Sequence, residues 1–211
     1  MAPELVIVAT ASLIGAACAL VGTFLVLRGE AMLGDAISHA VLPGIVVAFL
    51  LTGERSPLPM LIGAGALGVL TVALVGLARA SRRLAEDASI GVVFPALFAL
   101  GVVLVSQFGS QVDLDLDCVL FGEIAYAPFD VLLFGATSLG PKALWVGGAT
   151  LVVDLLVVVL FYKELKLSTF DPALAALVGV SPVLVHYVLM GAVSMTVVGA
   201  FESVGAILVV A

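Results

Sequence analysis

Apolar residues run along this chain in long, charge-free blocks, not in the alternation of a half-buried strand or the stripe of a surface helix. Crossing about 30 Å of hydrocarbon takes about 20 helical residues at about 1.5 Å each. Residues 5–27, 36–53, 56–78, 88–112 and 172–201 meet or nearly meet that requirement with no charged side chain, and 143–162 joins them if the carboxylate of Asp154 is tolerated. Six spans are therefore predicted. Residues 129–141 are apolar but short, and Gly135, Gly140 and Pro141 interrupt them, which predicts a re-entrant or interfacial piece. Residues 203–211 begin another apolar run that stops before it can cross a bilayer, so the chain reads as cut short within a seventh helix. The expected fold is all-α: one polytopic helical membrane domain over residues 1–211, with about six complete spans, a re-entrant segment and a truncated seventh helix.

Composition sharpens this picture. The 211 residues are 63% hydrophobic and 11% charged, against about half and about a quarter in soluble domains. So few charges cannot clothe a water-facing surface, which excludes a soluble enzyme. The net charge of −7 and the absence of any basic stripe argue against a nucleic-acid partner. Cys18 and Cys118 form neither a disulfide framework nor a CxxC motif.

Basic residues orient the spans, because cytoplasmic loops keep Lys and Arg. Arg28, Arg79, Arg82, Arg83, Lys163 and Lys166 fall on alternate connections, whereas only Arg55 and Lys142 fall on the others. This predicts an outside N-terminus, cytoplasmic loops at 79–87 and 163–171, and an outside acidic stretch from Asp113 to Asp130. The first run carries Glu4 and no Lys or Arg and is too long for a signal-peptide core, so it is expected to remain as a span.

The chemistry concentrates in LRGEAMLGDAISHAVLPGIVVAF, Leu27 to Phe49. Asp35 and His39 stand four apart and share a helical face, with Ser38 beside them. A carboxylate at the centre of a membrane helix costs about 2.5–3.5 kcal/mol on insertion scales, so such groups normally face a pathway and have a partner. Counting from Arg28, Asp35 lies about 10 Å and His39 about 16 Å into the span, near the midplane where transport sites sit. A carboxylate and a neutral imidazole together suit a divalent transition metal such as Zn²⁺ or Mn²⁺, and two ligands hold an ion only transiently. Pro43 lacks the N–H that would bond the His39 carbonyl, which leaves that oxygen for the ion or for water. The alternative is an Asp–His hydrogen bond that merely ties two helices together.

Other polar positions say less. Asp113, Asp115 and Asp117 alternate as in a calcium loop, but Cys118 stands where Gly is required and Ile124 where the closing Glu belongs. A solvated outer loop is the better reading, and an acidic rim that attracts divalent cations the weaker functional one. Asp154 is either a second pathway carboxylate or the partner of a donor on a neighbouring helix, and His186 and Glu202 flank the last span, with His186 read as interfacial. HExxH and GxSxG are absent, and the Gly135–Lys142 stretch GATSLGPK only approaches a phosphate loop. Any ATP must be bound by another chain. In FYKELKLSTFDPALAALVG, Lys163 and Lys166 mark the membrane edge, Asp171 and Pro172 start a short helix and Gly179 ends it, and Lys163, Glu164, Asp171, Pro172 and Gly179 are the candidate coupling residues. That helix is either a docking element or a simple connector.

Five segments in order, LRGEAMLGDAISHAVLPG, EDASIGVVFPALFALGVVLVS, DLDCVLFGEI, FYKELKLSTFDPALAALVG and FESVGAILVVA, resemble the permease subunit of bacterial metal ABC transporters, the manganese, zinc and iron uptake family. The resemblance covers essentially the whole chain. It implies a multi-pass protein of the bacterial plasma (inner) membrane that works with cytoplasmic ATP-binding cassette ATPases, an extracytoplasmic metal-binding protein and a second permease copy. It also implies a transported Mn²⁺ or Zn²⁺, with Fe²⁺ as a further candidate, and no resident cofactor. Asp35 and His39 match the family's intramembrane metal positions, and the segment around Asp171 and Pro172 matches its ATPase-coupling loop, here residues 163–179. DLDCVLFGEI is closer in wording to manganese-type members. Family members continue beyond GAILVVA, whereas this chain ends at Ala211. A proton-coupled secondary metal transporter using Asp35, His39 and Asp154, and a non-transporting membrane scaffold, are the competing readings.

Overall fold

A computed structural model describes residues 3–52, 57–80, 86–108, 124–125, 127–134 and 137–210. The helices are α1 (Pro3–Arg28), α2 (Ala31–Thr52), α3 (Pro57–Ala80), α4 (Glu86–Phe108), α5 (Lys142–Leu160), α6 (Tyr162–Phe170), α7 (Pro172–Leu177) and α8 (Pro182–Val210), with strands β1 (Val131–Phe134) and β2 (Thr137–Pro141) before α5. Among the described residues six helices are long and apolar enough to cross a membrane, namely Pro3–Arg28, Ala31–Thr52, Ile62–Ala80, Ala88–Gln107, Lys142–Leu160 and Pro182–Ala200. They match the six blocks read from the pattern.

Burial sorts these spans. Within the apolar window, 62% of α2 and 56% of α8 are buried inside the bundle, against 17% of α4. Thus α2 and α8 are central, and α4 presents most of its surface outward, as a lipid-facing helix should. Helix α2 packs on α3, α4 and α8, while α1 packs on α5 and α8. The α1 stripe Val6, Thr10, Ile14, Ala17, Val21 and Leu25 is buried, as is the α5 stripe Ala143, Gly147, Thr150 and Asp154, each at helical spacing. The core cluster joins Leu25, Leu33, Ile37, Val75, Leu165 and Leu189, so α6 is anchored in the same core through Leu165.

Small residues set the closest helix approaches. A Cβ on Gly63 would stand 2.6 Å from the Gly44 carbonyl and 2.6 Å from the Ala48 Cβ, so α2 and α3 nearly touch backbone to backbone there. A Cβ on Gly68 would collide with Ser194, whose hydroxyl donates to the Gly65 carbonyl at 3.2 Å and ties α8 to α3. Elsewhere hydroxyls return to their own helix: Thr23 donates to Ala19, Thr71 to Leu67 and Thr150 to Val146. Lipid offers them no other acceptor.

Two segments differ from the expected outline. The region read as re-entrant or interfacial holds an antiparallel ladder, pairing Val131 with Pro141, Leu133 with Ser138 and Phe134 with Thr137, with an irregularity after Val131. The Gly and Pro interruptions that bar a helix leave its backbone groups to pair across strands. Residues 203–210, read as the start of a seventh helix, continue α8 without a break, whereas residues 172–177 separate from it as α7. Gly179, at φ +89°, and Pro182 at the start of α8 account for that separation. The Asp113–Asp117 motif, Arg55, Arg82 and Arg83 lie outside the described residues.

Candidate metal-ion site

Helix α2 places Asp35 and His39 one turn apart, with Asp35 Oδ1 and His39 Nε2 at 3.5 Å. Two donors each about 2.1 Å from a tetrahedral ion stand about 3.4 Å apart, close to the observed spacing. Both side chains are partly exposed on the bundle, Asp35 at 38% and His39 at 30%. The imidazole faces α4, with the Phe94 ring centroid at 5.4 Å and tilted by 35°, and that of Phe98 at 6.1 Å and edge-on at 84°. This aromatic wall limits the turning of the imidazole. It was not anticipated from the sequence, although Phe94 and Phe98 are four apart in VVFPALF and so share a helix face.

Ser38 and Pro43 lie on the same helix. Ser38 is buried, and its hydroxyl donates to the Asp35 main-chain carbonyl at 2.7 Å, within the helix. Pro43 lies inside α2, which stays helical through it, so residue 43 cannot donate to the His39 carbonyl. Among the described residues no group of three or more His, Cys, Asp or Glu side chains could hold a metal ion. Asp35 and His39 are therefore a pair of side-chain donors with no third such group beside them among the described residues.

Asp154 is 1% exposed and accepts a 2.7 Å hydrogen bond from Thr196 Oγ1 on α8; the Thr196 hydroxyl also lies 2.8 Å from the Ala192 carbonyl. Of the two roles open in the sequence, partner to a donor on a neighbouring helix is the one with a visible contact. Glu202 falls within α8, and its side chain lies outside the described residues.

The 162–179 segment folds as its capping residues dictate. Asp171 Oδ1 accepts from the Leu174 N–H at 2.9 Å, and Pro172 occupies the first turn of α7. Gly179 closes α7 with its N–H on the Ala176 carbonyl at 3.2 Å and that of Val180 on Ala175 at 2.9 Å. Ala175 is fully buried and Leu165 anchors α6, whereas Phe170, Leu177 and Val178 are exposed, Leu177 at 84%. Lys163 is exposed and Glu164 half-buried. Arg28, the last residue of α1, reaches α6 by donating to Ser168 Oγ at 2.7 Å and Thr169 Oγ1 at 3.1 Å.

A second polar cluster lies beside that contact. Glu30 Oε1 is 3.6 Å from Arg79 Nη1 at the end of α3, and Glu30 Oε2 is 3.4 Å from His186 Nδ1 in the second turn of α8. Burial alone would raise the Glu30 pKa, but contact with His186 and the charges of His186, Arg79 and Arg28 outweigh it and hold the carboxyl below its usual value. His186, read from the sequence as interfacial, is therefore turned toward the α1–α2 corner. Sequence patterning missed this cluster, because its members come from three distant segments.

Apolar spans around a central helix carrying an acid and an imidazole define a polytopic helical membrane protein with a candidate cation site. The chain belongs to the ABC 3 transport family, whose pattern matches residues 4–211. It is 49% identical over its full length to the manganese transport system membrane protein MntD of Bacillus subtilis, covering 71% of that protein. It is 48% identical to the zinc transport system membrane protein TroD of Treponema pallidum, again over its full length, but spans 57% of it. The chelated iron transport system membrane protein YfeD of Yersinia pestis is 39% identical over 197 residues, which are 93% of this chain and 60% of YfeD. Among solved structures, PsaBC from Streptococcus pneumoniae in complex with Fab superposes with a TM-score of 0.76 at 30% identity, covering 100% of this chain and 69% of that one.

Proposed function

We propose that this chain is the membrane-spanning permease subunit of an ATP-driven importer of a divalent transition metal, Mn²⁺ or Zn²⁺, in the bacterial inner membrane. The ion passes by alternating exposure of the Asp35/His39 pair to the two sides. The observation that carries the proposal is the 3.5 Å separation of a partly exposed carboxylate and imidazole on the most buried of the six spans. Relatives named for manganese, zinc and chelated iron transport support a metal cargo without selecting one ion. The protein itself hydrolyses nothing. A separate cytoplasmic ATPase supplies the work, an extracytoplasmic binding protein delivers the ion, and a second permease chain completes the pathway.

The coupling element in this proposal is the 163–179 segment. Its capped helix α7 presents exposed apolar side chains, and Arg28 ties the segment to the end of α1. Lys163, Glu164, Asp171, Pro172 and Gly179 shape the ATPase-docking surface. Manganese and zinc uptake by metal-starved cells, with the ATPase and binding protein co-expressed, tests the proposal. Asp35→Ala and His39→Ala should each abolish uptake; uptake that persists in both rejects the site, and uptake that needs no ATPase rejects the ATP-driven reading.

A further inference from the structure

Glu30 occupies the corner between α1 and α2. Gly29, at φ +72°, ends α1 with its N–H on the Val26 carbonyl at 3.0 Å, and the Glu30 N–H bonds Leu25 at 2.9 Å. The Glu30 carbonyl then accepts from Leu33 at 2.9 Å and opens α2. Only about 7.5 Å of helix separates this corner from Asp35. The Glu30 carboxylate reaches both α3, through Arg79, and α8, through His186, and is 13% exposed. Two residues earlier, Arg28 grips Ser168 and Thr169 of α6. Two sets of polar contacts, two residues apart along the backbone, thus join the α6–α7 segment to the end of α1, and the foot of the helix that carries the acid–imidazole pair to two other spans.

A second ion site does not fit this cluster. The Arg79 guanidinium already faces the carboxylate that a dication would need, and a single acid with a single imidazole adds too little to displace it. Stability alone is a poor reason for its presence, because desolvating an ion pair largely cancels its attraction, whereas a geometry that exists in one state and not another is a use such pairs serve well.

We propose that Glu30 is a positioning residue for transport: its contacts with Arg79 and His186 latch α2, α3 and α8 together on the side of the α6–α7 segment, and movement of that segment, passed through Arg28, opens the latch and releases the ion held at Asp35 and His39. This rests on the permease reading above. Glu30 touches no cargo in this scheme; it sets the position of the helix that does.

The test uses the complete importer, reading Mn²⁺ uptake and ATP hydrolysis together. Glu30→Gln should lower the maximal uptake rate about tenfold, an ordinary coupling effect, with the half-saturating Mn²⁺ concentration changed by less than about twofold. ATP hydrolysis should continue without matching transport. Arg79→Gln should behave alike, and Arg79→Lys, which keeps the charge, should recover most of the rate. Ser168→Ala with Thr169→Val leaves the latch intact but removes the Arg28 grip, so it should uncouple hydrolysis from uptake even if the Glu30 variant fails to accumulate. Normal, coupled uptake in Glu30→Gln or in the Ser168/Thr169 variant overturns the latch, as does an Arg79→Lys variant as impaired as Arg79→Gln. Asp35→Ala run in parallel separates the two levels: uptake that survives it removes the metal-site reading and the latch with it, whereas uptake lost there but normal in the latch variants removes only the latch.

Discussion

The Asp154 carboxylate on α5 and the Thr196 hydroxyl on α8 meet at 2.7 Å in the bundle interior, and the acid is 1% exposed. A charge-bearing group in the middle of LVVDLLVVV is thereby matched to a donor on a central helix, which fixes the register of α5 against α8. Removing the donor strands the carboxylate. Thr196→Val should cost about 1–3 kcal/mol, the penalty for an unsatisfied buried polar group, and lower the melting temperature of the purified protein, while Thr196→Ser should not. Equal melting of the Val and Ser variants would show that the contact carries no stability.

The acid–imidazole pair predicts a loss of ion affinity when either donor is cut. His39→Ala and Asp35→Ala should each weaken Mn²⁺ or Zn²⁺ binding at least about tenfold, equivalent to about 1.4 kcal/mol. Titration calorimetry on the detergent-solubilised permease measures this directly. Phe98→Ala should have a smaller effect, since it frees the imidazole without removing a ligand. Undiminished affinity in both ligand variants would rule the pair out.

Helix α7 depends on its two caps. Asp171→Ala removes the acceptor for the Leu174 N–H and should cost about 1 kcal/mol of local helix stability. Gly179→Ala forces a side chain to φ +89° at about 1–2 kcal/mol. Both should speed amide exchange across 172–180 and reduce co-purification of the ATPase. Co-purification that withstands both would count against the docking role.

Because the folded Glu30 carboxyl titrates below its ordinary value near 4.5, its contribution to stability is fully present above that value and is lost as the pH falls through the lower folded one. The protein should therefore lose melting temperature on acidification through that window, and Glu30→Gln should flatten this part of the curve. A Glu30→Gln profile parallel to the wild type would mean that the carboxyl is not held by His186 and Arg79.

Close backbone contact between α2 and α3 predicts sensitivity at Gly63. An added methyl would meet Gly44 and Ala48 at 2.6 Å, and forced overpacking of this kind costs about 1–3 kcal/mol. Gly65, whose added Cβ would meet nothing within 4 Å, is the control that should tolerate Ala. Equal thermal stability of the two variants would contradict the packing.

The number and approximate bounds of the spans, the Asp35/His39 spacing and the caps of α7 were all legible in the amino-acid order. Each is decided within a few turns of chain: lipid demands an unbroken apolar run, residues four apart share a helix face, and Asp171, Pro172 and Gly179 act on their own neighbours. Tertiary structure alone decided that Asp154 meets Thr196, that Phe94 and Phe98 wall the imidazole, that Glu30 gathers Arg79 and His186, and that residues 131–134 pair with 137–141 as strands. Such contacts join segments far apart in the chain, and which side chains meet depends on how closely Gly44, Gly63 and Gly68 let the helices approach and at what rotation. Hydrophobic runs of nearly uniform composition carry almost no record of that rotation, because one apolar face looks much like another until it is packed.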